Sequence, residues 1–178
     1  MRKMFASGMV MFTGIVSAPP GTLPHQKPSS KPAQKPAHDY KGDPRFESLT
    51  RFFHKADCPA ESYAAEFLKA ADANALDWRL LPSLSFVETS GGKAAHHNNL
   101  FGWNSGHAHF PSPAAAIHAV GYLLKHASVY KNKNLESLLA VYNPAGEHYA
   151  EKVKSIMRRI SPTEAVVAVL TNPVQADD

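Results

Sequence analysis

The chain has 178 residues, 44% of them hydrophobic and 19% charged, with 19 Lys+Arg against 15 Asp+Glu for a formal net charge of +4. That length accommodates one domain with a single core beside shorter segments, and so mild a charge balance argues against a dedicated nucleic-acid binder. The single cysteine, Cys58, closes no internal disulfide, which excludes a disulfide-stapled scaffold and leaves a small structural thiol as its expected role.

Met1-Arg2-Lys3 followed by the apolar run Met4 to Ala18 has the charged start and short hydrophobic centre of a secretory signal, and Val16-Ser17-Ala18 suits the small-residue cleavage rule. The run is short for a membrane span. Pro19 directly after the cut disfavours signal peptidase, so residues 1–18 read either as a cleaved signal or as an uncleaved anchor that associates the N-terminus with a membrane. Both place the chain in the periplasm, the cell envelope or the extracellular space. Cys58 is too distant from this segment to carry a lipid. Residues 19–41 hold six prolines and four lysines with almost no large apolar side chains, the composition of an extended, semi-rigid linker.

From residue 42 to 170 the pattern predicts one mainly helical domain. Asp43-Pro44 is a cap and first-turn signal, followed by Phe46, Leu49 and Phe53 at helical spacing. Pro59 and Asn74 bracket a second helix with Tyr63, Phe67 and Ala71 on its stripe. Asp77 is expected to cap a third, in which Leu81, Leu84 and Glu88 fall at i, i+3 and i+7. Pro82, in its first turns, either kinks it or delays its regular start. Gly91-Gly92 stop it. Ser112-Pro113 opens the next helix, with Ile117, Val120 and Leu124 on one face and Gly121 leaving room for a close neighbour. Asn134 caps another, with Leu135, Leu138, Leu139 and Tyr142 on its apolar side, ending at Pro144. Tyr149, Val153, Ile156 and Ile160 mark a further helix whose opposite face is basic through Lys152, Lys154, Arg158 and Arg159. Ser161-Pro162-Thr163-Glu164 resembles a capping box before a short helix from Ala165 to Leu170, although its valines also suit a strand. Residues 171–178 read as a flexible tail.

Glu88 is placed unusually. It shares a stripe with leucines and falls in a helix's last turn, where unpaired carbonyls oppose an anion. Burial and dipole both favour the protonated form, as a general acid requires. The alternative is a solvated glutamate at a frayed helix end. The loop from Thr89 to Pro113 has no periodicity and is long for a helix connection. It carries Leu100, Phe101, Trp103 and Phe110, so it is expected to fold back over the body, and any β structure, such as a small hairpin, is expected there.

The pattern Leu81-Pro82-Ser83-x-x-x-x-Glu88-Thr89-Ser90-Gly91-Gly92 followed by Asn98-Asn99-Leu100-Phe101-Gly102-Trp103 resembles the glucosaminidase family of peptidoglycan-cleaving glycosidases, which have a lysozyme-like fold. Leu138-Leu139-Ala140-Val141-Tyr142-Asn143-Pro144-Ala145-Gly146, then Tyr149 to Val153, resembles the Tyr-Asn segment of lytic transglycosylases in the same superfamily. The resemblance spans residues 62–160. It implies a lysozyme-like domain acting on peptidoglycan glycan strands, with Glu88 as catalytic acid and Tyr142 lining the site beside it.

Around these two, Trp103 is either a sugar-stacking ring or a plug that pins the loop. Asn98 and Asn99 either bond acetamido groups or organise turns. Phe101 and Asn143, inside the two motifs, complete the candidate substrate-binding set. His96, His97, His107 and His109 lack acidic or thiolate companions and match no familiar zinc spacing, so neither a metal nor another cofactor is expected. Between Thr89 and Leu135 there is no aspartate or glutamate at all. Two-carboxylate hydrolysis needs a second acid; Glu147 and Asp72 are candidates to approach in space, although neither lies in a stretch that the resemblance places at the site. The simpler expectation is a single-acid mechanism in which Glu88 serves as acid and then base while the substrate's N-acetyl group assists. Capture by water gives a hydrolase; the resemblance to transglycosylases implies an anhydro sugar instead. The alternative to an enzyme is a non-catalytic peptidoglycan-binding module that keeps the groove.

Overall fold

The computed structural model describes residues 39–162. The expected signal or anchor, the expected linker up to residue 38, the expected helix from Ala165 to Leu170 and the expected tail lie outside the described residues. Within them all regular structure is helical. Six α-helices, α1 (Pro44–Lys55), α2 (Ala64–Asn74), α3 (Leu80–Thr89), α4 (Pro113–His126), α5 (Leu135–Tyr142) and α6 (Tyr149–Ile160), are joined by loops and two 3₁₀ turns at Tyr40–Gly42 and Pro59–Tyr63. None of these helices is long and apolar enough to cross a membrane.

Three helix starts follow from local chemistry. The Asp43 carboxylate accepts the Arg45 N–H at 2.8 Å with Pro44 in the first turn, Ser112 Oγ accepts the Ala115 N–H at 3.1 Å ahead of Pro113, and Asn134 Oδ1 accepts the Ser137 N–H at 2.9 Å. Each satisfies a donor that the first turn leaves unpaired. Asp77 behaves differently. Its carboxylate accepts the Arg79 N–H at 2.9 Å and the Arg79 guanidinium at 2.6 Å, turning the chain so that α3 begins at Leu80. Pro82 then lies in the first turn, where its missing donor costs little. The other end of the Arg79 guanidinium reaches the Ser161 carbonyl at 2.9 Å and ties the start of α3 to the end of α6.

The core sits where α2 packs on α4 and α3 packs on α6. Phe53, Phe67, Leu81, Leu84, Ile117 and Val153 are fully buried there. A Cβ on Gly121 would lie 3.2 Å from Leu81 Cδ1 and 3.4 Å from Ala70 Cβ, so the bare backbone is what lets α4 approach α2 and α3 this closely. The folded body begins earlier than residue 42. Tyr40 is buried, and its hydroxyl donates to Asp72 at 2.9 Å while Arg45 bridges Asp43 and Asp72, so the linker gives way by Tyr40.

The loop after α3 contains no strand. Its backbone bonds close tight turns, Ala94 to Thr89, Asn99 to His96 and Gly106 to Gly102 among them, so the N–H and C=O groups a hairpin ladder needs are consumed locally. Nine of its residues adopt positive φ, including His97, Asn98, Asn104 and Ser105. A pleated ribbon is incompatible with that sequence of reversals.

Candidate active site

Leu81 and Leu84 anchor one face of α3 in the core, and Glu88, one turn further on, emerges half-buried at its margin. The helix ends sharply. Ser90 turns left-handed with its N–H on the Phe86 carbonyl at 3.0 Å, and the Gly91 N–H reaches back to Ser85 at 3.1 Å. A Cβ on Gly91 would collide with Cys58, 2.8 Å from its Cβ and 2.9 Å from Sγ, and the φ of +63° favours glycine as well. Cys58 is therefore packing material, its buried thiol donating to the Ser90 carbonyl at 3.3 Å.

Thr89 then fastens the loop to the helix. Its buried Oγ1 donates within reach of the Leu100 carbonyl at 2.8 Å and the Ser85 carbonyl at 3.1 Å, and accepts the Gly92 N–H at 3.1 Å. Leu100 and Phe101 descend into the core as anchors, 3% and 1% exposed. Asn99 closes the next turn from both ends of its amide, donating to the Trp103 carbonyl and accepting the Trp103 N–H, each at 2.9 Å. Held this way, the backbone at Gly102 passes directly over Glu88, so that a Cβ there would stand 3.2 Å from Oε2.

The opposite wall comes from α5 and α6. Tyr149, in the first turn of α6, donates its hydroxyl to Glu88 Oε1 at 2.6 Å. Tyr142, at the end of α5, donates instead to the Phe101 carbonyl at 2.9 Å. The two tyrosine rings stack 6.0 Å apart, Trp103 meets Tyr142 edge-on at 5.9 Å, and Tyr130 lies 6.4 Å beyond Trp103. A carboxyl is thus set at one end of a run of four aromatic rings.

That setting governs its proton. Burial pushes the Glu88 carboxyl above its ordinary range, and the Tyr149 hydroxyl, which bonds best to the carboxylate, partly opposes the shift. Burial also raises Tyr149 and Tyr142, with the neighbouring Glu88 charge adding to both, so the two phenols remain protonated donors. The arrangement raises the proton affinity of Glu88 and gives its carboxylate form a hydrogen-bond donor.

The sequence candidates separate accordingly. Glu88, Tyr142 and Trp103 come together. Asn99 and Phe101 serve as scaffold of the loop, the first with both amide atoms engaged and the second with its ring in the core. The Asn98 amide donates to the Phe110 carbonyl at 2.8 Å and so organises the loop as well. Asn143 lines a groove of about 450 Å³ between α5 and α6, which shares Tyr149 with the Glu88 site. Neither of the two alternative acids joins the cluster: Asp72 is held by Arg45 and Tyr40, and Glu147 is exposed and pairs with His148 at 3.5 Å. The rings of His97 and His109 stack at 3.7 Å, and no group of three or more potential ligands converges on a metal position among the described residues.

Two site members are not evident from the sequence alone. Tyr149 lies there on the α6 stripe and in the transglycosylase-like segment without a role assigned to it, and Tyr130 falls in a stretch without periodicity. Both are buried against the cluster. Comparison with known protein families, curated proteins and solved structures gives no match for this chain.

Proposed function

We propose that this chain is an exported, lysozyme-like glycosidase that cleaves the glycan strands of peptidoglycan, using Glu88 alone as acid and base. The observation that carries the reading is the half-buried Glu88 carboxyl, bonded to Tyr149 at 2.6 Å and overlain by Gly102, with no second carboxylate in its cluster among the described residues. The motif resemblance and the mainly helical fold support it.

Protonated Glu88 gives its proton to the glycosidic oxygen as the bond to the anomeric carbon breaks, and the substrate's N-acetyl oxygen forms the compensating bond to that carbon. The resulting Glu88 carboxylate, steadied by the Tyr149 hydroxyl, then takes a proton from the attacking oxygen, which belongs either to water or to a hydroxyl of the same sugar. Glu88 regains its proton and the N-acetyl group its neutrality. Trp103 offers the half-buried ring against which a sugar face packs. Export rests on the N-terminal charge and hydropathy pattern.

Mass spectrometry of purified peptidoglycan incubated with the full chain tests the proposal. New reducing or anhydro ends are expected, and Glu88→Gln should abolish them while leaving strand binding intact. Binding by the parent without release of any product would establish the non-catalytic module in place of the enzyme.

A further inference from the structure

All twelve aspartate and glutamate side chains of the described residues lie outside 90–134, whereas that stretch contributes Lys93, Lys125, Lys131 and Lys133. The same stretch builds one wall of the Glu88 site, from Gly102 over the carboxyl to Trp103 and Tyr130. Its lysines differ in what holds them. Lys93 pairs with Asp57 at 3.4 Å, and Lys125 lies in the last turn of α4, where unpaired carbonyls favour a cation. Lys131 and Lys133 have neither reason for their position. Both are exposed and make no ion pair among the described residues, and Lys133 stands just ahead of the α5 N-cap, where the helix dipole disfavours positive charge. The first acid downstream, Glu136, is engaged by Lys154 at 2.6 Å.

The backbone that carries these two cations is fixed in place. The N–H groups of Tyr130 and Lys131 both donate to the Ala127 carbonyl at 2.9 Å, and the Lys133 N–H donates to the Tyr130 carbonyl at 3.2 Å. Because the Tyr130 ring is buried beside Trp103, the turn that carries both lysines is pinned to the outer end of the aromatic run. Each ammonium is a strongly hydrated point charge on a flexible stem, suited to single carboxylates spaced along a chain more than to the bidentate grip an arginine gives phosphate.

We propose that Lys131 and Lys133 form an anion-reading rim of the Glu88 site, which binds carboxylates on the peptide side chains of the glycan strand and so favours peptide-bearing strands over bare glycan. This rests on the glycan-cleaving reading and specifies its substrate.

Binding is measured with the full chain carrying Glu88→Gln, so that strands survive, and with the same chain carrying Lys131→Gln and Lys133→Gln as well. The probes are peptide-bearing glycan strands, the same strands stripped of peptide by an amidase, and a glycerol-phosphate polymer. Two exposed charge contacts predict about five- to tenfold tighter binding of the peptide-bearing strands at low salt. That preference should vanish in the double-lysine variant, whose melting temperature should equal that of its parent. Equal binding of the two strand types, no binding to either, or a preference that survives loss of both lysines overturns the proposal. So does an equal loss of binding to the glycerol-phosphate polymer, which would make the rim a general polyanion contact. A lysine-dependent preference together with no product release by the chain that retains Glu88 would leave the rim standing and remove the glycosidase reading instead.

Discussion

Tyr149 and Glu88, 61 residues apart in sequence, meet through a hydroxyl-to-carboxyl hydrogen bond of 2.6 Å. The bond favours the ionised carboxyl while burial favours the neutral one, so Tyr149 restrains the proton affinity that burial creates. Tyr149→Phe keeps the ring stacked on Tyr142 and removes only this restraint. A hydrogen bond to a charged group is worth about 1.5–3 kcal/mol, so turnover should fall roughly ten- to a hundredfold. At the same time the alkaline limb of kcat/KM, which reports loss of the Glu88 proton, should move to higher pH. A pH profile whose limb stays in place would make Tyr149 a packing residue only.

Tyr142→Phe should behave differently, because its hydroxyl serves the Phe101 carbonyl and not Glu88. The loss is one neutral hydrogen bond holding the loop, about 1 kcal/mol. Thermal unfolding should show a midpoint lower by about 4 °C, with turnover reduced less than in Tyr149→Phe and the pH limb unmoved. A larger effect on turnover than Tyr149→Phe produces would reverse the two assignments.

The contrast between these tyrosines also marks what the sequence discloses. Helix starts at Asp43, Ser112 and Asn134 are legible because cap, proline and first turn are all neighbours along the chain. The stripe of Leu81, Leu84 and Glu88 is legible because helical periodicity alone puts the carboxyl at the edge of the core. Tyr149 is not, since its role depends on which face of α6 packs against α3, and no local pattern reports that. Asn99 shows the intermediate case. Sugar contact and turn organisation are both compatible with its residue type, and the two bonds to the Trp103 backbone decide for the turn. The boundary at Tyr40 was obscured by the prolines and lysines before it, whereas a single phenol on Asp72 suffices to bring it into the body.

Glu88 also links the site to stability. Its folded-state pKa is raised above the ordinary value of 4.5, so its contribution to stability is fully present below about that pH and is lost as pH rises through the folded pKa. Glu88→Gln carries no such penalty and keeps an oxygen for the Tyr149 hydroxyl. The variant should therefore melt above its parent at neutral pH, with the difference closing as the buffer is made acidic. Melting curves recorded from pH 4 to pH 8 check this, and a gap that widens toward acid would mean that the carboxyl is not held in its neutral form by burial.

Gly102 and Gly106 form a matched pair for the last test. Both have positive φ, +58° and +84°, but a Cβ at Gly102 would stand 3.2 Å from Glu88 Oε2 whereas one at Gly106 meets nothing within 4 Å. Placing an L side chain in the left-handed region costs about 1–2 kcal/mol, so both alanine variants should lose stability by similar amounts. Only Gly102→Ala also crowds the carboxyl, which must then turn on its side chain or push the loop outward, away from the Tyr149 bond. Misplacing a catalytic group by about 1 Å costs about a hundredfold in rate, so the few tenths of an ångström demanded here should lower turnover by about tenfold. Gly106→Ala should keep turnover within about threefold of the parent, since its strain lies in an exposed turn remote from any contact with Glu88. Comparing kcat at a temperature where both variants are fully folded separates the two effects. Equal turnover in the two would mean that the approach of the loop to Glu88 has no part in the chemistry.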